Sequence, residues 1–135
     1  LNYVAKYSLA KNSYFVTSKC YEHLNNLNLM RNGKLLRGSK GSKNKFTFEH
    51  PVPSNVIADE VIKNIGDKNK IKKILRETDL VTVITYQEND MITKSGFANE
   101  MPENSFVKKN MFARYEMSGV EVPSRKIEVY GAIAR

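Results

Sequence analysis

Leu80-Val81-Thr82-Val83-Ile84-Thr85-Tyr86-Gln87-Glu88 is the stretch that decides the fold. Its first six residues are apolar or β-branched and carry no charge, the composition of a strand covered on both faces. Thr85 and Glu88 then stand at the Ser/Thr-x-x-Glu spacing of a capping box, so a helix should open directly at the strand's end. That helix reads through about Lys94, with Gly96 as its stop. A strand in the middle of a sheet that runs straight into a helix defines a mixed α and β architecture.

Working upstream, Val56, Ile57, Val61, Ile62 and Ile65 recur at helical spacing after Ser54, a candidate N-cap, and Gly66 closes that helix. Asp67 caps the next one. Ile71, Ile74 and Leu75 face the core there, while Lys68, Lys70, Lys72, Lys73 and Arg76 form a solvated outer face. Residues 3–30 also read as helical, on Val4, Tyr7, Tyr14, Cys20, Leu24 and Leu27, and Asn12-Ser13 divides them into two helices. Asn32-Gly33 ends that region. Lys34–Arg37 and Lys45–Glu49 read as the arms of a hairpin around the polar, Gly-rich segment 38–44, which the composition predicts to be mobile.

Downstream, residues 97–110 read as a long irregular loop, of a kind often functional in compact domains. Met111–Ser118 is a short helix stopped by Gly119, and Lys126–Ile133 alternates as a last strand. The expected fold is therefore a single α+β domain over residues 1–135. It has N-terminal helices (1–30), a basic hairpin or loop (31–45) and an α+β core (46–135). The core is a small, mostly antiparallel sheet with its central strand at about 80–85 and helices packed on it.

The chain has 135 residues and a net charge of +8, unevenly placed. Within residues 1–48, nine cations (Lys6, Lys11, Lys19, Arg31, Lys34, Arg37, Lys40, Lys43, Lys45) stand against one acid, Glu22; the rest nets to zero. Such asymmetry predicts a polyanion partner: nucleic acid first, then an acidic protein, then an anionic membrane surface. From Arg31 to Lys45 there are six cations and no acid, which marks Arg31, Lys34, Arg37, Lys40, Lys43 and Lys45 as phosphate-contact candidates, with Lys108 and Lys109 of the long loop. The Gly-x4-Gly-Lys-Ser/Thr spacing of a P-loop is absent. No apolar run reaches the roughly 20 residues a membrane helix needs. Cys20 is the single cysteine, so no internal disulfide and no Cys/His zinc cage can form; a buried thiol in a reducing compartment is expected. Leu1 in place of Met, with neither a basic n-region nor an apolar stretch after it, reads as a processed chain or a module of a longer one.

Chemistry concentrates at Phe46-Thr47-Phe48-Glu49-His50-Pro51-Val52-Pro53. Phe46 and Phe48 alternate with Thr47 as in a half-buried strand, and two prolines end it just after an acid–histidine pair. Cleaving a phosphodiester needs a base, a cation for the developing charge and an acid or metal for the leaving oxygen. An imidazole, which ordinarily titrates at about 6.5, suits the base, so His50 is the first catalytic candidate. Glu49 points to the opposite face of a regular strand and joins the site only if the chain twists at the prolines. Phe112-Ala113-Arg114-Tyr115 supplies a forked guanidinium for a phosphate and a phenol as acid or donor; an ion pair for Arg114 is the structural alternative. Thr85, at the end of the strongest strand, is added to the catalytic candidates. His23 reads as structural, and Glu88 has its cap to serve.

Glu49-His50-Pro51-Val52-Pro53 resembles the first strand of HNH (ββα-metal) nucleases, and Leu80–Thr85 followed by Glu88-Asn89-Asp90 resembles that family's strand-into-helix unit. The resemblance implies a divalent metal, with Glu49 as a ligand, His50 as base and Asn89 or Asp90 as the helix ligand. In size and charge the chain is also similar to small RNA-cleaving toxin modules of bacterial competition systems. That similarity implies a cytoplasmic site of action after delivery within a longer secreted chain, and an acidic inhibitor or immunity protein as partner. The expected activity is nucleic-acid cleavage with RNA favoured: His50 as general acid–base, Arg114 on the phosphate and no cofactor. A metal-dependent HNH-like DNA endonuclease and a non-catalytic basic binding module remain open.

Overall fold

Thr82–Thr85 (β5) is buried from Thr82 to Ile84 because the sheet is covered on both sides of it. The computed structural model describes residues 13–129. Preceding β5 are Ser13–Val16 (β1), Ser18–Asn26 (α1), Met30–Arg31 (β2), Lys34–Leu35 (β3), Gly41–Asn44 (α2), Phe46–Glu49 (β4), Ser54–Lys63 (α3) and Lys68–Thr78 (α4). Tyr86–Lys94 (α5), Ala113–Ser118 (α6) and Arg125–Val129 (β6) follow it. The strands form one mixed six-stranded sheet in the order β2-β3-β6-β1-β5-β4. Three of its five pairings are antiparallel; β1 with β5 and β3 with β6 are parallel. The α+β single domain expected from the sequence is the observed one, and β5 is an interior strand of its sheet.

Alternation along β5 divides the core in two. Val81 and Val83 point to one face and pack with Tyr14, Val16, Cys20 and Leu24. Ile84 points to the other and packs with Ile92, Tyr115 and Val120. Burying Val83 and Ile84 completely stabilises the fold by roughly 1.5–3 kcal/mol each. Thus α1 covers one face of the sheet and α5 with α6 the other.

β1 and β5 are adjacent and parallel, and each ends in a threonine that caps the next helix. Thr17 accepts a hydrogen bond from the Cys20 amide. Thr85 accepts from the Glu88 amide, and the Glu88 carboxylate accepts in return from the Thr85 amide, completing the expected capping box. Asp67 caps α4 as read, and Gly96 (φ 85°) and Gly119 (φ 77°) follow α5 and α6 in the left-handed conformation that ends helices.

Four local expectations differ from the structure. Residues 13–16 are a strand, not the start of a second helix; Tyr14 and Val16 face the same core as Cys20 and Leu24, so strand and helix together imitate one helical stripe. Residues 3–12 lie outside the described residues, as does the last strand beyond Val129. Lys34–Leu35 does not pair with Phe46–Glu49. It pairs with Met30–Arg31 through the turn at Asn32 (φ 52°) and Gly33 (φ 74°), and with β6 on its other side. Two consecutive left-handed residues give the hairpin turn that Asn-Gly favours. The polar segment before β4 contains the short helix α2, in which a Cβ on Gly41 would lie 2.3 Å from the Phe46 carbonyl oxygen. Finally, Pro53 rather than Ser54 occupies the N-cap of α3.

Candidate functional site

Among the described residues β4 is an edge strand paired only with β5, in the register Phe46↔Thr85 to Glu49↔Thr82. Glu49 therefore shares a face with Thr82 and Ile84, the face that α6 covers. Its side chain is 12% exposed. Arg114, 2% exposed, projects from α6 and donates to five acceptors. Nη1 reaches Glu49 Oε2 at 2.9 Å, the His50 carbonyl at 2.8 Å and the Pro51 carbonyl at 3.1 Å. Nε reaches the Phe97 carbonyl at 2.7 Å, and Nη2 the Ala98 carbonyl at 3.4 Å. Tyr115 donates its hydroxyl to Glu49 Oε1 at 2.7 Å.

Two adjacent α6 residues thus hold both oxygens of one carboxylate and fix the backbone of residues 49–51. The same guanidinium closes the start of the long loop onto that platform. The loop itself is internally bonded rather than loose: Ser105 Oγ donates to the Pro102 carbonyl, and the Asn110 amide to the Ser105 carbonyl.

Burial pushes the Glu49 carboxyl above its ordinary range, and the Arg114 charge with the bonds from Tyr115 and Arg114 pulls part of the way back. Burial first, then the neighbouring Glu49 charge, drives the Tyr115 phenol well above its ordinary value, so it stays protonated and donates. Arg114 has its donors turned onto protein acceptors and its surface out of solvent, so it holds the backbone of residues 49–51 and the start of the long loop. In that role it cannot also clamp a phosphate without abandoning those contacts. His50 is half-buried at the strand end, and its backbone is held as described.

Other candidates lie elsewhere. Thr85 stands at the far end of β4's pairing, beside Phe46, and its hydroxyl serves the α5 cap. Three residues of strand, about 10 Å, separate its level from that of Glu49. Asn89 and Asp90 follow on α5, where Asp90 pairs with Lys94 at 2.8 Å. Of the donors the HNH resemblance implies, Glu49 is engaged with Arg114 and Tyr115. Among the described residues no three His, Cys, Asp or Glu side chains group as metal ligands would.

The basic candidates also separate in space. Arg31 and Lys34 sit at the opposite edge of the sheet, and Lys34 pairs with Glu128 at 3.4 Å. Arg37 and Lys40 lie on the connection from β3 to α2, Lys43 on α2, and Lys45 at the start of β4. His23 Nε2 lies 2.6 Å from the Asn44 carbonyl, so that nitrogen carries the proton and clips α1 to this segment. Lys108 and Lys109 are exposed on the long loop. A cleft of about 550 Å³ opens between α3 and that loop, with Asp59, Glu60 and Glu100 against Lys63 on its walls. Its acids make it a poor seat for a phosphate.

Several residues with functional geometry escape a linear reading. Thr17 Oγ1 donates to Glu88 Oε1 at 2.7 Å across 71 residues, joining the caps of α1 and α5. Among the described residues three cations rest against aromatic rings: Lys45 Nζ at 5.7 Å from the Tyr86 centroid, Arg125 Cζ at 4.1 Å from Tyr21, and Lys126 Nζ at 4.8 Å from Phe15. The proximity of Lys45 to the helix opening at Tyr86 follows from the strand pairing, but nothing in the sequence joins Tyr21 to Arg125.

These features define an α+β domain with a mixed six-stranded sheet, a buried Glu–Arg–Tyr cluster at one end of its edge strand and cations with aromatics at the other. No protein-family model, curated protein or solved structure matches the chain.

Proposed function

We propose that this protein cleaves nucleic acid, RNA in preference to DNA, with His50 as general acid–base. The observation that carries the proposal is the immobilisation of the His50 backbone by a buried guanidinium. A buried ion pair is costly to desolvate and is no efficient way to stabilise a fold. Here it fixes a histidine at a strand end, a placement that suits proton transfer. In RNA the 2′-hydroxyl supplies the nucleophile. His50 removes its proton as the oxygen attacks the phosphorus, and the protonated imidazole can return a proton to the departing 5′-oxygen. Arg114 and Tyr115 act through Glu49 and the backbone rather than on the phosphate. The excess of cations supplies long-range attraction for the polyanion.

The test is turnover of end-labelled single-stranded RNA by purified protein, with and without EDTA. Cleavage lost in the chelator and restored by a divalent ion would move the reading to the metal-dependent, HNH-like mechanism.

A second reading, binding without cleavage, is favoured by one observation: Lys45 and His50 stand at opposite ends of β4, about 17 Å apart along the strand. Tight, salt-sensitive binding with no turnover would establish it.

A further inference from the structure

We infer that the sheet edge formed by the carboxyl ends of β1 and β5 is a track for single-stranded nucleic acid, on which Tyr21 and Tyr86 stack bases and Lys45 and Arg125 contact phosphates. The inference rests on the nucleic-acid reading above and adds which form is bound, and where. Strand pairing places the parts side by side. Val16 is opposite both Val83 and Arg125, Phe46 is opposite Thr85, and the Tyr86 amide donates to the Lys45 carbonyl at 3.0 Å. Arg125, Thr17, Thr85 and Lys45 therefore lie in a diagonal row over four neighbouring strands: about 14 Å across the strands and, because Arg125 is level with Val83 while Lys45 lies just beyond the Phe46–Thr85 pair, about 10 Å along them.

The row is a topological switch point. The helix after β1 packs on one face of the sheet and the helix after β5 on the other, which leaves a crevice outside the strand ends where open α/β sheets bind ligands. The Thr17–Glu88 bond holds the two helix starts together.

The chemistry along the row points to bases as well as phosphates. Tyr86 is 39% exposed and Tyr21 half-buried, each with a cation at its ring. Lys45 is held in the left-handed conformation (φ 61°) at the end of α2, which fixes its approach. Elsewhere Lys34, Lys63, Lys73, Lys94 and Arg114 each lie within 4.0 Å of a carboxylate. Among the described residues Lys45, Arg125 and Lys126 have aromatic partners instead, which leaves their charge open to a phosphate. The acids nearby are Glu88, buried in the cap, Glu22 on the exposed side of α1, Glu121, whose carboxylate accepts from the Ser18 amide and hydroxyl, and Asp90, which shares a surface pocket with Tyr86 and is paired with Lys94. Positive charge interleaved with aromatic rings selects single strands, because paired bases do not offer their faces.

The experiment is fluorescence anisotropy in EDTA with a labelled 15-nucleotide oligo(dT), a 15-base-pair duplex and inorganic polyphosphate, using the full chain and its His50→Ala variant. Single strand should bind at least tenfold more tightly than duplex. Tyr21→Leu with Tyr86→Leu should weaken the single strand by roughly tenfold per ring and leave polyphosphate unchanged. Lys45→Ala and Arg125→Ala should each lower the salt slope by about 1. Equal affinity for duplex and single strand overturns the track. So does unchanged single-strand affinity in the tyrosine pair, or, where that pair fails to fold by circular dichroism, an unchanged salt slope in the lysine and arginine variants. Binding that behaves as described without RNA turnover contradicts the cleavage reading alone. Turnover with unaltered binding in these variants contradicts the track alone.

Discussion

The Arg114 guanidinium donates to the backbone carbonyl of His50 at 2.8 Å, so a side chain from α6 sets the position of the residue that follows β4. Glu49 completes the arrangement by giving the buried charge a counter-ion.

Removing that side chain should be severe. Arg114→Ala leaves Glu49 buried without its cation and strands several carbonyls, a loss of about 3–5 kcal/mol. Arg114→Lys restores charge but not the fork, so it should recover only part. Urea unfolding gives the values. If Arg114 acts by positioning, Arg114→Lys should also lower RNA turnover without shifting its pH profile.

Glu49 should leave a mark on stability against pH. Its folded carboxyl titrates above the ordinary value of about 4.3, so the native state holds the proton more tightly than the unfolded chain. Its contribution is then constant below that ordinary value and declines as pH rises from there through the raised one. Subtracting the Glu49→Gln curve from wild type should reveal this decline. A difference that increases with pH across that window would mean that Arg114 outweighs burial.

The Thr17–Glu88 bond is testable by a double-mutant cycle. Thr17→Val and Glu88→Gln each remove part of a buried network, at about 1–3 kcal/mol apiece. Because the two side chains touch, the double variant should lose less than the two single losses combined, with a coupling of about 0.5–3 kcal/mol. Strict additivity would mean the caps act independently.

Cys20 reports on the same region. Burial first, and the Glu88 charge second, push its thiol up to about 12. Iodoacetamide at pH 8 should leave the native protein unlabelled and label it fully in urea. Rapid native labelling would show that α1 opens.

How much of this was legible in the sequence follows from range. The capping box at Thr85 and Glu88, the Asp67 cap and the buried β5 run are local signals, and each appears as read. β1 was hidden because its inward residues prolong the spacing of α1, and β2, the true partner of the arm read at Lys34, because a two-residue strand cannot display alternation. Glu49, Arg114 and Tyr115 could be named by type, but 65 residues separate the ion pair, and no local pattern encodes which face of β4 meets α6. The run of cations from Arg31 to Lys45 looked like one patch. The strand order carries its two ends to opposite edges of the sheet.

Turnover of labelled RNA by His50→Ala, beside wild type and with matched unfolding curves, tests the central claim most directly. The account predicts that wild type cleaves and that the folded variant is slower by about 10²- to 10⁴-fold. A folded His50→Ala protein that cleaves at the wild-type rate, or a wild-type protein that binds RNA and never cuts it, would contradict it.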